Sequence, residues 1–235
     1  MFESLHNLTA AILAGGQGTR LRAVTGGGPK VIAPVGGRPF LFRLLEQLAE
    51  AGLRRVVLCT GYRAEEVAAA VGDTYRGVAV RYSVETTPLG TAGALRHALP
   101  LLDSDPVLAM NGDSFCEVDL KIFYCDHQSH QAAGTLVVVP AKDTSASGRV
   151  VFNEDHVIER FEEKPLSTGP GWISAGIYLL SRAILESIPD QRAVSIEKET
   201  FPAWVGRGLR AFPVCARFLD IGTPDAYHFA QTQFS

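Results

Sequence analysis

Two kinds of hydrophobic pattern alternate along the chain. Short continuous apolar runs predict buried strands, and stretches with apolar residues three and four positions apart predict helices. The run at residues 8–12 is the first predicted strand, and residues 40–51, with leucines at 41, 44, 45 and 48, predict a helix that ends at Gly52. Because strand and helix patterns alternate from the start, the sequence predicts βαβ units and an α/β fold around a mostly parallel sheet.

The same patterns place the remaining elements. Strands are predicted at residues 56–59, 78–84, 106–110, 134–140, 150–152, 157–158, 172–180, 209–214 and 216–219, and helices at 64–71, at 120–130, at 181–187 and in a segment that ends near Pro100. Residues 31–35 are too short and too proline-broken for a central strand, and residues 36–39 predict a turn. The polar segment 142–148 divides one domain, residues 1–235, into halves at about 1–140 and about 141–235, since no linker is long enough to separate two domains.

Composition narrows the functional classes. Of 235 residues, 46% are hydrophobic and 20% are charged, which is ordinary for a globular core and excludes a disordered chain. The net charge of -3 gives no general attraction for nucleic acid or an anionic membrane, so neither is an expected partner. No window approaches the ~18 consecutive apolar residues of a membrane span, and the N-terminus lacks the basic and apolar regions of a signal peptide.

The cysteines favour a cytoplasmic protein. They show neither Cys-x-x-Cys spacing nor the framework of a small disulfide-rich domain, which predicts reduced thiols. Cys125, His127 and His130 could be imagined as metal ligands. Because they are three scattered candidates on one short stretch, a polar helix face is the favoured interpretation.

The glycine-rich loop from Leu13 to Lys30 is the most informative segment. Its glycines lack a Cβ, can take positive φ, and let main-chain N–H groups approach a ligand closely; they are Gly15, Gly16 and Gly18. Successive N–H groups curved around an oxyanion form an anion-binding site, to which Arg20 and Lys30 add positive charge and hydrogen-bond donors. The loop therefore predicts phosphate binding.

Two other phosphate-binding loops are excluded by their spacing. A Rossmann dinucleotide site needs a third glycine where this chain has Leu21, and a P-loop needs a lysine directly after its last glycine, where this chain has Thr19. Gly-Gly-x-Gly-Thr-Arg followed by Pro29-Lys30 instead resembles the signature of the sugar-1-phosphate nucleotidyltransferases. That resemblance implies a Rossmann-like, three-layer α/β/α fold of the GT-A type. No hexapeptide repeat is present, so a C-terminal β-helix is not expected.

A second loop, residues 85–95, resembles the nucleobase-recognising segment of this family. Its small residues leave room for a flat group, although Thr91 could also be a helix N-cap. The half at about 1–140 would then bind the nucleotide, with contacts from Leu13, Ala14, Gly15, Gly16, Gly18, Thr19, Glu85, Pro88, Gly90, Thr91 and Ala92. One carboxylate, Glu85, can accept both N1–H and the 2-amino group of guanine, whereas uracil offers a single N–H there, so GTP is favoured.

Charged residues match the catalytic positions of the family. Asp113 follows a predicted strand, where ligands gather in open α/β sheets, and Asp220 opens a match to the family's closing Asp-x-Gly-Thr-Pro-x-x-Tyr motif. The resemblance implies that both aspartates hold Mg²⁺, a hard cation that prefers carboxylate and phosphate oxygens. It also implies that Arg20 and Lys30 steady the triphosphate and that Lys164 holds the sugar phosphate.

The half at about 141–235 carries the implied sugar-phosphate site. Glu-Glu-Lys-Pro at 162–165 and the strand at 172–180 resemble the acceptor segments of the family. They imply sugar contacts from Asn111, Glu163, Ser174, Ala175, Gly176 and Glu197. The family commonly has Asn where Ser174 stands, and Glu197 could instead belong to a helix cap that begins at Ser195.

Together these residues indicate Mg²⁺-dependent nucleotidyl transfer from a nucleoside triphosphate to a sugar 1-phosphate. The loops resemble most closely D-glycero-D-manno-heptose 1-phosphate guanylyltransferases, while mannose-1-phosphate guanylyltransferases and N-acetylmuramate-1-phosphate uridylyltransferases share most of the same motifs. A non-catalytic nucleotide-sugar sensor is the alternative from another class, and retention of the metal aspartates argues against it. A homodimer is the default assembly, because dimers are the commonest soluble oligomers.

Overall fold

A ten-stranded sheet with helices on both faces forms the centre of the protein. The structure is a computed structural model that describes residues 5–21, 24, 26–144, 148–162 and 169–234. This three-layer α/β/α arrangement confirms the predicted fold class. Within those residues there is no β-helix, and no helix is long and apolar enough to cross a membrane.

The elements are numbered in chain order. The strands are β1 (Thr9–Leu13), β2 (Pro34–Val35), β3 (Arg38–Pro39), β4 (Arg55–Thr60), β5 (Thr74–Tyr75), β6 (Val78–Val84), β7 (Val107–Asn111), β8 (Ser114–Cys116), β9 (Gly134–Ala141), β10 (Arg149–Phe152), β11 (Ile158–Glu162), β12 (Gly171–Leu180), β13 (Leu209–Pro213) and β14 (Phe218–Asp220). The helices are α1 (Leu41–Ala51), α2 (Ala64–Val71), α3 (Gly90–Ala98), α4 (Leu120–Ser129), α5 (Arg182–Ser187), α6 (Phe201–Trp204) and α7 (Pro224–Gln233). Shorter 3₁₀ turns include Thr19–Leu21 and Lys30–Ile32, and a π-helical turn spans Ile196–Thr200.

Parallel pairing brings the carboxyl ends of β1, β4, β6 and β7 to one edge of the sheet. β1 lies between β4 and β7, and β4 pairs in parallel with β6. Leu13 of β1 is the register partner of Cys59 in β4 and of Asn111 in β7. The carboxyl ends of these strands therefore meet, which is where ligands bind in open α/β sheets.

Strand β12 joins the two halves of the chain in one sheet. It runs antiparallel to β7 on one side and to β9 on the other, and its first residues also meet the β10–β11 hairpin. β13 then adds in parallel to β9. Residues from both sides of the polar segment 142–148 thus share a continuous set of backbone hydrogen bonds.

Alternating side chains of the central strands bury the two faces of the sheet. Ile12 and Leu58 belong to the core under α1, α2 and α4, whereas Ala11 and Val57 belong to the core under α3, α5 and α6. The period of two in a strand sends neighbouring side chains to opposite faces. Both faces are apolar, which explains why these strands appear in the sequence as continuous apolar runs.

A small third core links the C-terminal helix to the segment around the glycine loop. We call it the C-terminal cluster; its members include Leu21, Val35, Phe40, Ile221 and Tyr227. Leu21 and Val35 flank Lys30 in the sequence, and Ile221 follows Asp220 directly. The cluster therefore anchors backbone next to several of the predicted catalytic residues.

Most predicted elements are confirmed within two residues, but the shortest ones are not. β5, β8 and α6 were not predicted, because they are two to four residues long and a hydrophobic period cannot show over so few residues. The strand predicted at 216–219 is β14, which pairs with β8 in a separate two-stranded sheet. That pairing proves important for the site.

His127 does not lie on a polar helix face as predicted. It is buried on α4, and its Nδ1 lies 2.8 Å from Thr135 Oγ1 on β9. Burial lowers the pKa of His127 to about 4, so the ring is neutral at physiological pH. Within the described parts of the chain, no group of three or more His, Cys, Asp and Glu residues could hold a metal ion.

Candidate active site

The glycine loop begins as a continuation of the sheet. Ala14 N–H donates to Cys59 O at 2.8 Å, which extends the β1–β4 pairing into the loop. Gly18 has a φ of +56°, whereas Gly15 and Gly16 do not adopt positive φ. Gly15 is needed for space, since a Cβ there would lie 2.9 Å from Glu85 Oε1. The expected use of positive φ is therefore confirmed at Gly18 only.

Strand β7 delivers polar residues against the start of that loop. Asn111 is the last residue of the strand, one position beyond the predicted end. Gly112 N–H donates to Leu13 O at 2.9 Å, and a Cβ at Gly112 would lie 2.5 Å from that oxygen. Only glycine permits this approach, which places Asp113 at the mouth of the loop.

Asp113 and Asp220 form a pair of neighbouring carboxylates. β8 follows Asp113 and pairs with β14, which ends at Asp220, and Ile221 N–H donates to Asp113 O at 2.9 Å. Asp220 is exposed at one side, yet partial desolvation of its carboxyl group, and after it repulsion from the Asp113 carboxylate, raise its pKa. Gly222 N–H donates to Asp220 Oδ1 at 2.6 Å and opposes that rise.

Two cations face this carboxylate pair. Lys30 Nζ donates to the Asp113 carboxylate in an ion pair whose side chains are 15% and 31% exposed. Lys30 and Arg20 both act to lower the pKa of Asp220, although Arg20 itself is exposed to solvent. The structure thus brings together Arg20, Lys30, Asp113 and Asp220, from four separate places in the sequence.

The carboxylate pair has the donor chemistry of a magnesium site. Two anionic oxygen donors that repel one another are stabilised when a divalent cation lies between them. Mg²⁺ is usually held by one or two carboxylates together with substrate phosphates, so a pair without a third protein ligand suits it. Asp113 and Asp220 could therefore hold the ion as expected.

Glu85, the carboxylate predicted to contact the nucleobase, lies beside the glycine loop. Its Oε2 accepts from Leu89 N–H at 3.1 Å, and its side chain packs against Gly15 and Gly61, where an added Cβ would clash with it. Burial raises the pKa of Glu85, and the hydrogen bond from Leu89 partly offsets this. A half-buried carboxylate is thereby aimed into the space beside the glycine loop.

The start of α3 differs from the expectation. The N-cap is Leu89 rather than Thr91. Thr91 lies inside the helix, and its Oγ1 accepts from Ile196 N–H at 2.8 Å. A Cβ at Gly90 or Gly93 would lie 2.6 Å or 2.9 Å from backbone oxygens of residues 192–194, so these glycines allow a neighbouring segment to pack. The space beside Gly93, which was predicted to receive a flat ligand group, is therefore occupied by the backbone of residues 192–194.

A cavity of about 450 Å³ lies between the glycine loop and α3. The predicted residues that line it are Leu13, Gly15, Gly16, Gly18, Thr19, Lys30, Glu85, Pro88, Gly90, Thr91, Asn111 and Asp113. Ala14 and Ala92 were predicted as contacts but do not line it, because the backbone N–H of each is held by a neighbouring backbone carbonyl and both side chains are buried. Four further residues line the cavity and were not predicted: Gln17, Val31, Cys59 and Ala94. Cys59 could have been found from its place at the end of β4.

A second cavity, of about 240 Å³, contains two of the predicted sugar contacts, Ser174 and Glu197. Both are joined through Tyr178, which the sequence analysis missed. Ser174 Oγ donates to Tyr178 Oη at 3.1 Å, and Tyr178 Oη donates to Glu197 Oε1 at 3.2 Å. Burial and the Glu197 charge hold the pKa of Tyr178 well above its usual value, so the hydroxyl remains a donor.

The backbone N–H of Ser195 is capped by Glu199, whereas the sequence suggested Glu197. Ser195 Oγ accepts from Lys198 N–H at 3.2 Å, while Glu199 Oε1 accepts from Ser195 N–H at 3.1 Å. This reciprocal pattern resembles a capping box shifted by one residue, consistent with the π-helical turn. Glu197 also accepts from Ser195 Oγ, at 3.4 Å through Oε2, while its Oε1 accepts from Tyr178 Oη and the residue lines the second cavity.

A bulge in β12 lies between Ser174 of the second cavity and Tyr178, and it contacts Asn111 of the first cavity. The register of β12 against β9 shifts between Ser174 and Tyr178, and Gly176 adopts a φ of +74°. A Cβ there would lie 2.7 Å from both Asn111 Nδ2 and Ser114 Oγ. Ala175 and Gly176 therefore contribute backbone beside Asn111, whose Oδ1 is buried without a hydrogen-bond partner. Bulges of this kind often redirect backbone at active sites.

Two predicted residues cannot be placed. Glu163 and Lys164 lie outside the described residues. The roles implied for them remain predictions.

Comparison with known proteins gives a consistent match over nearly the whole chain. The family model described as nucleotidyl transferase matches residues 9–235. A mannose-1-phosphate guanyltransferase of Schizosaccharomyces pombe is 38% identical over 227 residues, 94% of this chain and 62% of that protein. A mannose-1-phosphate guanylyltransferase of Mycobacterium tuberculosis is 35% identical over 226 residues, 94% of this chain and 63% of that protein. The chain thus spans about three fifths of the length of these curated relatives.

Solved structures agree with the fold. The crystal structure of HddC from Yersinia pseudotuberculosis complexed with GMP-PN has a TM-score of 0.83 and 31% identity, and covers 97% of this chain and 100% of that one. A putative glucose-1-phosphate thymidylyltransferase from Bacillus anthracis, in complex with a sucrose, has a TM-score of 0.87 at 22% identity, and covers 97% of this chain and 95% of that one.

Proposed function

Because this chain belongs to the nucleotidyl transferase family, we propose that it transfers a guanylyl group from GTP to a sugar 1-phosphate and releases pyrophosphate. One observation carries the proposal: Lys30, Asp113 and Glu85 line a single cavity, and Asp220 lies beside Asp113. That cavity therefore offers a cation, one member of the carboxylate pair and a separate carboxylate for a nucleobase. GTP has the complementary parts.

In the proposed reaction an oxygen of the sugar phosphate attacks the α-phosphorus of GTP. A phosphorus–oxygen bond forms there, and the bond to the departing pyrophosphate breaks on the opposite side. The attacking phosphate monoester is largely dianionic at neutral pH, because its second pKa is about 6. It needs no general base, which fits a site whose charged residues are lysine, arginine and carboxylates.

The chain's task is then to position two anions and neutralise charge. Lys30 lies at the carboxylate pair and would donate to the triphosphate, and Arg20 would add positive charge from the exposed side of the loop. The glycine loop would present main-chain N–H groups to phosphate oxygens. Magnesium, held by Asp113 and Asp220, would supply charge neutralisation at the phosphates.

The curated relatives support a guanine nucleotide. Both relatives compared above carry guanyltransferase names, and HddC was crystallised with GMP-PN. Glu85 provides the physical reason, since a carboxylate can accept two parallel N–H groups of guanine in a charge-assisted pair. Burial raises the pKa of Glu85, and the N–H donors of a bound guanine would favour its charged form.

Glu85→Gln is expected to reduce the ratio of kcat/KM for GTP over UTP by roughly tenfold to 10²-fold, since a hydrogen bond to a charged group is worth about 1.5–3 kcal/mol. The glutamine can accept one guanine donor but presents its own NH₂ group to the other. Steady-state kinetics with both nucleotides measures the ratio. Glu65→Gln, at an exposed glutamate on α2, is the matched control. An unchanged ratio in Glu85→Gln would remove this residue from base selection.

We propose D-glycero-α-D-manno-heptose 1-phosphate as the sugar, with mannose 1-phosphate as the second candidate because the relatives carry that name. The linked side chains of Ser174, Tyr178 and Glu197 support a polyhydroxylated acceptor in the second cavity, since they combine hydroxyl donors with a carboxylate acceptor. The half at about 141–235 would supply this part of the site.

A panel of nucleoside triphosphates crossed with sugar 1-phosphates tests the proposal. We expect magnesium-dependent pyrophosphate release that is fastest with GTP and the heptose phosphate. Fastest release with mannose 1-phosphate would retain guanylyl transfer and change the sugar. Preference for UTP would contradict the role of Glu85. Nucleotide binding without release from any pair would support a nucleotide-sugar sensor instead.

A further inference from the structure

The C-terminal helix α7 contacts the segment that follows the glycine loop through a compact set of hydrogen bonds. Tyr227 Oη and Gln231 Nε2 both donate to Pro34 O, at 2.6 Å and 2.7 Å. Gln231 Oε1 in turn accepts from Gly36 N–H at 2.8 Å. Two side chains one helical turn apart on α7 therefore satisfy both a carbonyl and an N–H of the β2–β3 hairpin.

The hairpin is shaped to receive the end of α7. Gly36 has a φ of +58°, and a Cβ there would lie 2.4 Å from Phe234 O. Arg43 Nη2 donates to Val35 O at 2.8 Å while its guanidinium lies 3.5 Å from the centre of the Phe234 ring. The hairpin is thus held from α1 and from α7, and no side chain larger than glycine fits between.

This hairpin is directly tied to Lys30. Ala33 N–H donates to Lys30 O at 3.0 Å, which closes the 3₁₀ turn, and Ala33 O accepts from Phe40 N–H at 3.0 Å. Pro34 is the next residue in the chain. Fixing the Pro34 carbonyl consequently limits where the backbone of Lys30 can lie.

The same C-terminal segment fixes the carboxylate pair. Ile221 N–H bonds to Asp113 O, and Ile221 packs with Tyr227 in the C-terminal cluster. That cluster also contains Leu21, the residue after Arg20. One short stretch, from Asp220 to the end of α7, therefore packs against or bonds to the segments that carry Arg20, Lys30 and Asp113.

We propose that Tyr227 and Gln231 are positioning residues, which hold the Lys30 turn in register with Asp113 and Asp220 through Pro34 and Gly36. The inference rests on the proposed function. Neither side chain lines the nucleotide cavity, and the Glu85 end of that cavity is built from β6 and α3. Loss of the two contacts should therefore lower kcat with little change in the KM for GTP, because small displacements of a catalytic group are costly.

Gln231→Met tests this with a side chain of similar length that keeps the packing and removes both hydrogen bonds. We expect kcat per folded molecule to fall by roughly tenfold or more, with the KM for GTP changed by less than about twofold. Tyr227→Phe, which removes one donor to the same carbonyl, should act in the same direction. Gln233→Met, on an exposed position of the same helix, is the matched control.

A purely structural role would lower the melting temperature and leave kcat per folded molecule equal to that of Gln233→Met, and that result would overturn the inference. A rise in the KM for GTP as large as the fall in kcat would also overturn it. A second measurement does not depend on turnover. Acylation of Lys30, followed by peptide mass spectrometry with Lys121 as internal reference, should be several times faster in Gln231→Met than in the unaltered protein.

The acylation measurement separates failure of the inference from failure of the proposed function. If the unaltered protein releases no pyrophosphate, the proposed function fails, while faster labelling of Lys30 in Gln231→Met would still support the positioning contacts. Equal labelling of Lys30 in both proteins would contradict them whether or not the protein is active.

Discussion

Asp220→Asn is expected to reduce pyrophosphate release by roughly 10²- to 10³-fold, the usual effect of removing one preorganised electrostatic contact from an active site. The amide keeps the shape of the side chain but removes one of the two anionic donors proposed for magnesium. Asp113→Asn should have a similar effect, since the two carboxylates act as a pair. Pyrophosphate release at saturating GTP measures both.

The stability of Asp220→Asn should distinguish a functional carboxylate from a structural one. A carboxyl group whose pKa is raised on folding stabilises the protein below its unfolded pKa and loses that contribution as the pH rises through its folded pKa. Because the pKa of Asp220 is raised, its charge opposes folding at neutral pH without a cation. Asp220→Asn should accordingly keep or raise the melting temperature in EDTA.

Asp225→Asn is the matched control for this prediction. Asp225 is exposed in the first turn of α7, five positions after Asp220. Its replacement should leave activity near normal. Turnover close to normal in Asp220→Asn, or a large loss in Asp225→Asn, would show that the site has been assigned to the wrong carboxylate.

Lys30→Met is expected to lower kcat by a similar factor, roughly 10²- to 10³-fold. The methionine keeps most of the aliphatic stem and removes the ammonium group that bonds to Asp113. Asp113 then loses its ion-pair partner. Because the carboxylate pair would be left without its nearest cation, the Mg²⁺ concentration needed for half-maximal activity should also change.

Lys121→Met provides the comparison, because Lys121 is exposed on α4 and lies outside the nucleotide cavity. Its replacement tests for general effects of losing one positive charge. If Lys30→Met retained the kcat of Lys121→Met, the proposed contact between Lys30 and the triphosphate would be wrong.

The overall fold could be predicted from the sequence because its central strands are long enough to show their pattern. β1, β4 and β7 are buried on both faces and alternate with amphipathic helices, so their apolar runs stand out. The position of Asp113 at the end of β7 followed from that pattern. The glycine spacing in the first loop predicted the phosphate-binding site and the family resemblance.

Proximity in space was harder to predict. Asp113 and Asp220 meet because β8 and β14 pair, and these strands are three residues long. The three residues of β8 carry no recognisable period, so only the family resemblance indicated that Asp113 and Asp220 act together. β8 and β14 are about 100 residues apart in the sequence, and they can pair only once the rest of the fold has brought them together.

Tyr178 and Glu197 illustrate a second limit. Tyr178 is fully buried on β12, where an aromatic residue predicts core packing rather than a hydroxyl that joins Ser174 to Glu197. Glu197 was a possible capping residue because it follows Ser195 by two positions in the sequence. In the π-helical turn it is Glu199 that accepts the hydrogen bond from Ser195 N–H. The wider π-helical turn therefore places Glu197 at the second cavity, and its extra residue could not be predicted from the sequence.

The most direct test of the central claim follows the nucleotide itself. The protein is incubated with Mg²⁺, sugar 1-phosphate and GTP labelled at the α-phosphorus, and products are separated and counted. We predict that the label appears in a nucleotide sugar, with one pyrophosphate released for each molecule formed, and that EDTA abolishes both. Labelled GTP that binds but is recovered unchanged with every sugar phosphate would contradict nucleotidyl transfer.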